Sequence, residues 1–203
     1  MNRSEVCCMT DSTTYYDEHA DRFIASADSA DMGPLHEDFL SHVGFPARLL
    51  DAGCGSGRDS LAFSKLGYEV EAFDASKAMV EAASRLTGLP VRQLRFQQMD
   101  YQERFDGIWA CASLIHVPRD EMDHVFKLLA QALKPAGILY CSFKSRSADY
   151  MDGGRAFTCH TLASLQDFIR KTGRFEIVRI YPTYDKRPDR AHETWVNAVA
   201  RKL

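Results

Sequence analysis

LLDAGCGSGRDS, residues 49–60, decides how the rest of this chain is read. Leu49 and Leu50 belong to an apolar run of strand character, Asp51 ends it, and Gly53, Gly55 and Gly57 follow at alternate positions. Glycines leaving a strand let the backbone turn sharply and approach a ligand closely. A dinucleotide turn would read GxGxxG. Counted from Gly53 the third glycine falls on Arg58, and counted from Gly55 it falls on Ser60, so both registers fail. The spacing is D-x-G-x-G-x-G instead. A carboxylate just before the turn is badly placed for a pyrophosphate and suits a ligand carrying a cationic group.

Outward from this turn, strand and helix patterns alternate. RLLDAG (48–53), YEVEAFD (68–74), VRQLRFQQMD (91–100), FDGIWACAS (105–113) and GILYCSFK (137–144) read as strands. Helical stripes lie between them, over 57–66, after Ser76, and over 119–134. A further helix carries Leu162, Leu165, Phe168 and Ile169. FEIVRIYPTYD (175–185) and ETWVNAVARK (193–202) are strands joined by a link too short for a crossover, so they pair antiparallel. The expected fold is α/β: a doubly wound, mostly parallel, Rossmann-like sheet with an antiparallel last strand and helices on both faces. Upstream, two helical stripes run through Tyr16, Ala20, Phe23 and Ile24, and through Leu35, Phe39, Leu40 and Val43, after a polar segment, 1–13, expected to fray.

Composition narrows the function classes. The chain has 203 residues, is 45% hydrophobic and has a net charge of −3. It offers no global electrostatic reason for a nucleic-acid or membrane partner. No apolar run of transmembrane length or signal-peptide form is present, so a cytoplasmic protein is expected. The six cysteines form no CxxC pair, which favours free thiols in a reducing compartment and no metal site.

Two more acids mark strand ends. Asp74, with Ala75 after it, ends the second strand, where a carboxylate can accept from both ribose hydroxyls. Asp100 ends the third predicted strand between Met99 and Tyr101, in position to take an adenine amino group. DAGCGSG (51–57), FDAS (73–76), QMDY (98–101), FDGIWACASLIHVP (105–118), LKPAGILYCSF (133–143) and the terminal strand pair together resemble the class I S-adenosylmethionine-dependent methyltransferases. The resemblance covers about residues 15–203. It implies a seven-stranded sheet and S-adenosylmethionine as cofactor. By it, Gly53 and Gly55 pack on the methionine part and Asp51 lies near the ammonium. Asp74 takes the ribose, and Met99, Asp100 and Tyr101 surround the adenine. Met79 lines its edge, and the carbonyl of Ala110 or Cys111 faces the ammonium. Residues 1–46 then form a tail and cap helices, and 47–203 the cofactor-binding domain. YYDEHADRF, GSGRDS, SLIHVPR and GRAFT are similar to small bacterial members that carry tellurite-resistance-type labels.

The resemblance places the acceptor between the N-terminal helices and the loops after the fourth and fifth strands. The candidate catalytic residues there are Tyr16 and His116, and the candidate substrate residues are Arg58, Lys144, Arg155 and Arg187. If these basic side chains converge, the acceptor is anionic. The expected partner is a small-molecule methyl acceptor, bound by a monomer or homodimer, with no nucleic acid and no membrane. Two alternatives stay open: a catalytically silent domain that binds cofactor or partner, and a methyltransferase acting on nucleic acid or protein. The segment after the fourth strand, ASLIHVP, departs from the Asn/Asp-Pro-Pro-aromatic motif of base-modifying enzymes.

Overall fold

The computed structural model describes residues 12–27, 30–187 and 190–203. Three helices come first: α1 (Ser12–Glu18), α2 (Ala20–Ala27) and α3 (Gly33–Leu40). Of the segment expected to fray, residues 1–11 lie outside the described residues, while Ser12 and Thr13 open α1. The stripe through Tyr16, Ala20 and Phe23 breaks at His19 into two short helices.

The alternating region then runs β1 (Arg48–Ala52), α4 (Arg58–Lys65), β2 (Glu69–Asp74), α5 (Lys77–Thr87), β3 (Arg92–Gln93), β4 (Phe105–Ala110), α6 (Met122–Ala132) and β5 (Leu133–Lys144). Next come a hairpin, β6 (Tyr150–Asp152) and β7 (Arg155–Phe157), then α7 (Leu162–Thr172), β8 (Phe175–Tyr184) and β9 (Thr194–Lys202). Side chains start the helices where the sequence indicates. Ser76 Oγ accepts the Met79 N–H at 3.2 Å, and Thr161 and Ser164 cap each other's backbone at the start of α7.

The seven-stranded sheet has the order β3-β2-β1-β4-β5-β9-β8. The pairs among β1 to β5 are parallel, and β9 is antiparallel to both β5 and β8. The reversed strand is thus inserted one place inside the edge, and β8 forms the edge itself. One apolar layer joins α3 and α4 to the sheet through Phe39, Phe63, Leu49, Trp109 and Tyr140. The other packs α6 and α7 on the opposite face through Phe126, Leu129, Leu165, Ile169 and Phe143. Strand order changes direction between β1 and β4, which opens a crevice at their C-terminal ends.

Two expected elements are shorter than their patterns. The strand over 91–100 stops at Gln93. The Leu94 N–H donates to the Asp74 carbonyl at 2.9 Å, and the chain then coils into a 3-10 turn, Phe96–Gln98. β3 is an exposed edge, whereas Phe96 turns inward to meet Phe73 edge-on at 5.2 Å. Burial of that ring outweighs continued pairing at an edge with no outer neighbour. The helix over 119–134 ends at Ala132, because Leu133 already pairs with Phe105.

Candidate active site

One cavity of about 460 Å³ opens at the crevice, with the glycine turn, the end of β2, the segment after β4 and the face of β5 and β9 in its walls. Gly53 has φ +74°, and a Cβ there would lie 2.5 Å from Ser113 Cβ. Only glycine fits this approach. Gly57 has φ +86°, and its added Cβ would meet Ala83 of α5 at 2.9 Å, so the turn also seats α4 against α5. Asp74 fixes the turn from beneath. Its Oδ2 accepts the Gly55 N–H and its Oδ1 the Ser76 N–H, each at 2.9 Å. Burial pushes the Asp74 carboxyl up, and these amides hold it back.

Of the cofactor residues expected from sequence, Asp51, Gly53, Gly55, Asp74, Ala75 and Met79 all line this cavity. Met99, Asp100 and Tyr101 do not. Because β3 ends early, Asp100 sits 76% exposed beside Arg92, and Tyr101 packs against Phe105 and under Arg92. The 3-10 turn substitutes for them, bringing Leu94, Arg95, Phe96 and Gln97 to the wall. Ala110 is fully buried within β4, and the next residue, Cys111, reaches the cavity.

At the other end Tyr16, His116, Arg58, Lys144, Arg155 and Arg187 share the same cavity. His116 is bonded on both nitrogens, Nδ1 to the Ala156 carbonyl at 2.9 Å and Nε2 to the Tyr16 hydroxyl at 2.7 Å. A carbonyl only accepts, so Nδ1 carries the hydrogen; in the neutral ring Nε2 accepts and Tyr16 donates. Burial pushes His116 down to about 4, with Arg155 and Lys144 acting in the same direction. Burial likewise pushes Tyr16 up to about 12, against the pull of Arg155. The basic side chains have acidic partners. Lys144 pairs with Glu193, Arg58 grips Asp59 at 2.8 and 3.0 Å, and Arg187 grips Asp185 at 2.9 and 2.6 Å. Arg155 Nη2 donates to Asp152 at 3.1 Å.

Residues 49–137 match the methyltransferase-domain family. The chain is 26% identical to the 1,6-didemethyltoxoflavin-N1-methyltransferase of Burkholderia thailandensis, solved with 1,6-didemethyltoxoflavin and S-adenosylhomocysteine. That superposition has a TM-score of 0.77 and covers 96% of this chain and 87% of the other. Over residues 49–137 the chain is thus similar to S-adenosylmethionine-dependent methyltransferases. The ubiquinone biosynthesis O-methyltransferases of Proteus mirabilis and Xanthomonas campestris are 30% and 32% identical to it, over 51% and 57% of its length. It spans about half the length of these curated relatives, 44% and 52%.

The cradle fits S-adenosylmethionine, the cofactor expected from the sequence. The glycine turn has no room for side chains where it runs closest to Ser113. Each Asp74 oxygen keeps a lone pair beyond those taken by backbone amides. Sequence reasoning missed the buried acid network under the turn. Asp59 takes hydrogen bonds from His36 Nε2 (3.1 Å), Trp109 Nε1 (2.9 Å) and Arg58, while Asp51 accepts from Ser60 Oγ at 2.6 Å. Burial and then the neighbouring Asp59 raise Asp51 to about 8. Asp59 itself stays well below the ordinary carboxylate range, because the His36 and Arg58 hydrogen bonds outweigh its burial. The available signal was the buried tryptophan, since an indole N–H inside a core needs an acceptor. Among the described residues no helix is long and apolar enough to cross a membrane, and no group of three metal-ligating side chains gathers.

Proposed function

We propose that this chain transfers the methyl group of S-adenosylmethionine to a small anionic molecule. One observation supports this above the others: a single cavity joins the glycine turn and Asp74 to Tyr16, His116 and the basic side chains. Asp51 takes the ammonium, Asp74 the ribose hydroxyls, and Met79 with Leu94 and Phe96 the adenine. When bound, the cofactor supplies an electrophilic methyl group. The chain's own residues hold the acceptor in line and exclude water, and such orientation alone is worth about 7–11 kcal/mol of barrier. His116 is disfavoured as a cation, so its part is to orient the Tyr16 hydroxyl rather than to take the acceptor's proton. Arg58, Lys144, Arg155 and Arg187 line the acceptor end, and Arg155, whose acidic partner is exposed, gives it its preference for an anion. The relatives' names divide between oxygen and nitrogen as the accepting atom, and the likeness to tellurite-resistance-labelled proteins names no acceptor. The test is formation of S-adenosylhomocysteine from S-adenosylmethionine across a panel of small acceptors. Turnover is expected with anionic ones. Cofactor binding without turnover of any acceptor would favour the silent domain, and a thermal shift with NAD(P) alone would refute both.

A further inference from the structure

The basic residues of the cavity differ in one respect. The acids that neutralise Lys144, Arg58 and Arg187 are themselves largely buried, with Glu193, Asp59 and Asp185 only 18%, 9% and 4% exposed. Arg155 is 8% exposed, yet its partner Asp152 is 62% exposed and screened by water. The Arg155 Nε is buried with no hydrogen-bond partner. Its guanidinium lies 4.0 Å from the Tyr15 ring and 5.1 Å from Phe157. A buried guanidinium that lines a cavity, with one N–H unused and only an exposed carboxylate as its acidic partner, is poorly compensated.

The groups facing Arg155 are Tyr15 and Tyr16 from α1, Asp152 from β6, His116 from the turn after β4, and Lys144 from β5. Neither His116, held down at about 4, nor Tyr16, at about 12, readily takes or gives a proton near neutrality. An amine acceptor would arrive as a cation and meet like charge, and an alcohol would find no base. A weakly acidic ring that has lost its proton to water meets neither obstacle, and the rings of Tyr16, Phe157 and Trp195 in the walls suit a flat molecule.

We propose that the acceptor is a small planar ring acid, a phenol or a ring N–H acid, bound as its anion against Arg155 with the accepting atom beside Tyr16. This rests on the methyl-transfer reading above. The anion's lone pair forms the bond to the methyl carbon as the carbon–sulfur bond breaks, its electron pair staying on sulfur; the proton has already gone to solvent.

The test uses protein saturated with S-adenosylhomocysteine and two probes, 4-nitrophenol and 5-nitrouracil, whose anions are followed by absorbance across a pH titration. Binding is expected to lower the pKa of each probe by about one unit, a tenfold preference for the anion. Arg155→Gln should weaken the anion about ten- to hundredfold with the S-adenosylhomocysteine affinity unchanged. Asp152→Asn, an exposed substitution, should lower the bound pKa further. Preferential binding of the neutral probes, no effect of either substitution, or no binding of either probe would overturn the proposal. Failure to bind S-adenosylhomocysteine would instead strike the methyl-transfer reading.

Discussion

Asp74→Asn tests the cofactor cradle most sharply. The carboxylate accepts the Gly55 and Ser76 amides through separate oxygens, each at 2.9 Å. Asparagine has one acceptor oxygen, so one amide loses its partner and faces an NH₂ group. A hydrogen bond to a charged group is worth about 1.5–3 kcal/mol. In the folded protein part of this returns, because burial disfavours the ionised Asp74 in the first place. The net stability loss should be about 1 kcal/mol, a fall of roughly 2–4 °C in Tm for a chain of this size. Under the proposed assignment the substitution also removes an acceptor for the cofactor's ribose and loosens Gly55, so cofactor binding should suffer more. The Kd for S-adenosylhomocysteine, measured by titration calorimetry, should rise about 10- to 100-fold. A Kd within twofold of wild type, with the Tm only slightly reduced, would refute the assignment of Asp74 to the cofactor.

Gly53→Ala combines left-handed strain of about 1–2 kcal/mol with overlap on Ser113, whereas Gly88→Ala, with φ +71° and open space, carries the strain alone. Denaturant melts should show Gly53→Ala weaker by a further 1–3 kcal/mol or so, and equal losses would refute the close approach. Asp51, at about 8, holds a proton in the folded protein that the unfolded chain releases above about 4. Its contribution to stability therefore falls as pH rises from about 4 to about 8. An ammonium beside it should displace that proton, so calorimetry at pH 7 in two buffers should detect release on cofactor binding, absent in Asp51→Asn. His116, at about 4, takes no proton where the unfolded ring, near 6.5, does. Stability is present above about 6.5 and is lost as pH falls toward 4, and His116→Gln should flatten that slope in urea melts. His160, also held down at about 4 by burial, leaves a residual slope of the same sign.

The alternation of strands and helices and the glycine turn were legible because both rest on local pattern. The alternation of β1, α4 and β2 and the register of Gly53, Gly55 and Gly57 each lie within a few turns of chain. The misplacement of Met99, Asp100 and Tyr101 arose where a pattern continued but its partner did not. QLRF (93–96) alternates like a strand, and only the packing of Phe96 on Phe73 shows that pairing ends at Gln93. The basic residues expected at the acceptor end do line one cavity, yet sequence could not tell which of them is neutralised by a buried acid. Glu193 and Asp59 are not distinguishable from surface acids until Lys144 and Arg58 are seen against them. The hairpin β6–β7 is too short to leave a period, and nothing in its sequence shows that the Ala156 carbonyl fixes the His116 tautomer.

The insertion of β9 between β5 and β8 makes the acceptor half of the cavity depend on the C-terminal strand. The cofactor half rests on the crossovers of the βαβ units and on the pairing of β1 with β4, which brings Leu49 to Gly107. The acceptor half needs Ile138 to meet Arg201 and Lys144 to meet Trp195, closures across more than fifty residues. β8 can join the sheet only through β9, so the edge strand and the loop bearing Arg187 must wait for that pairing. Local damage to β9 should therefore abolish acceptor binding before cofactor binding.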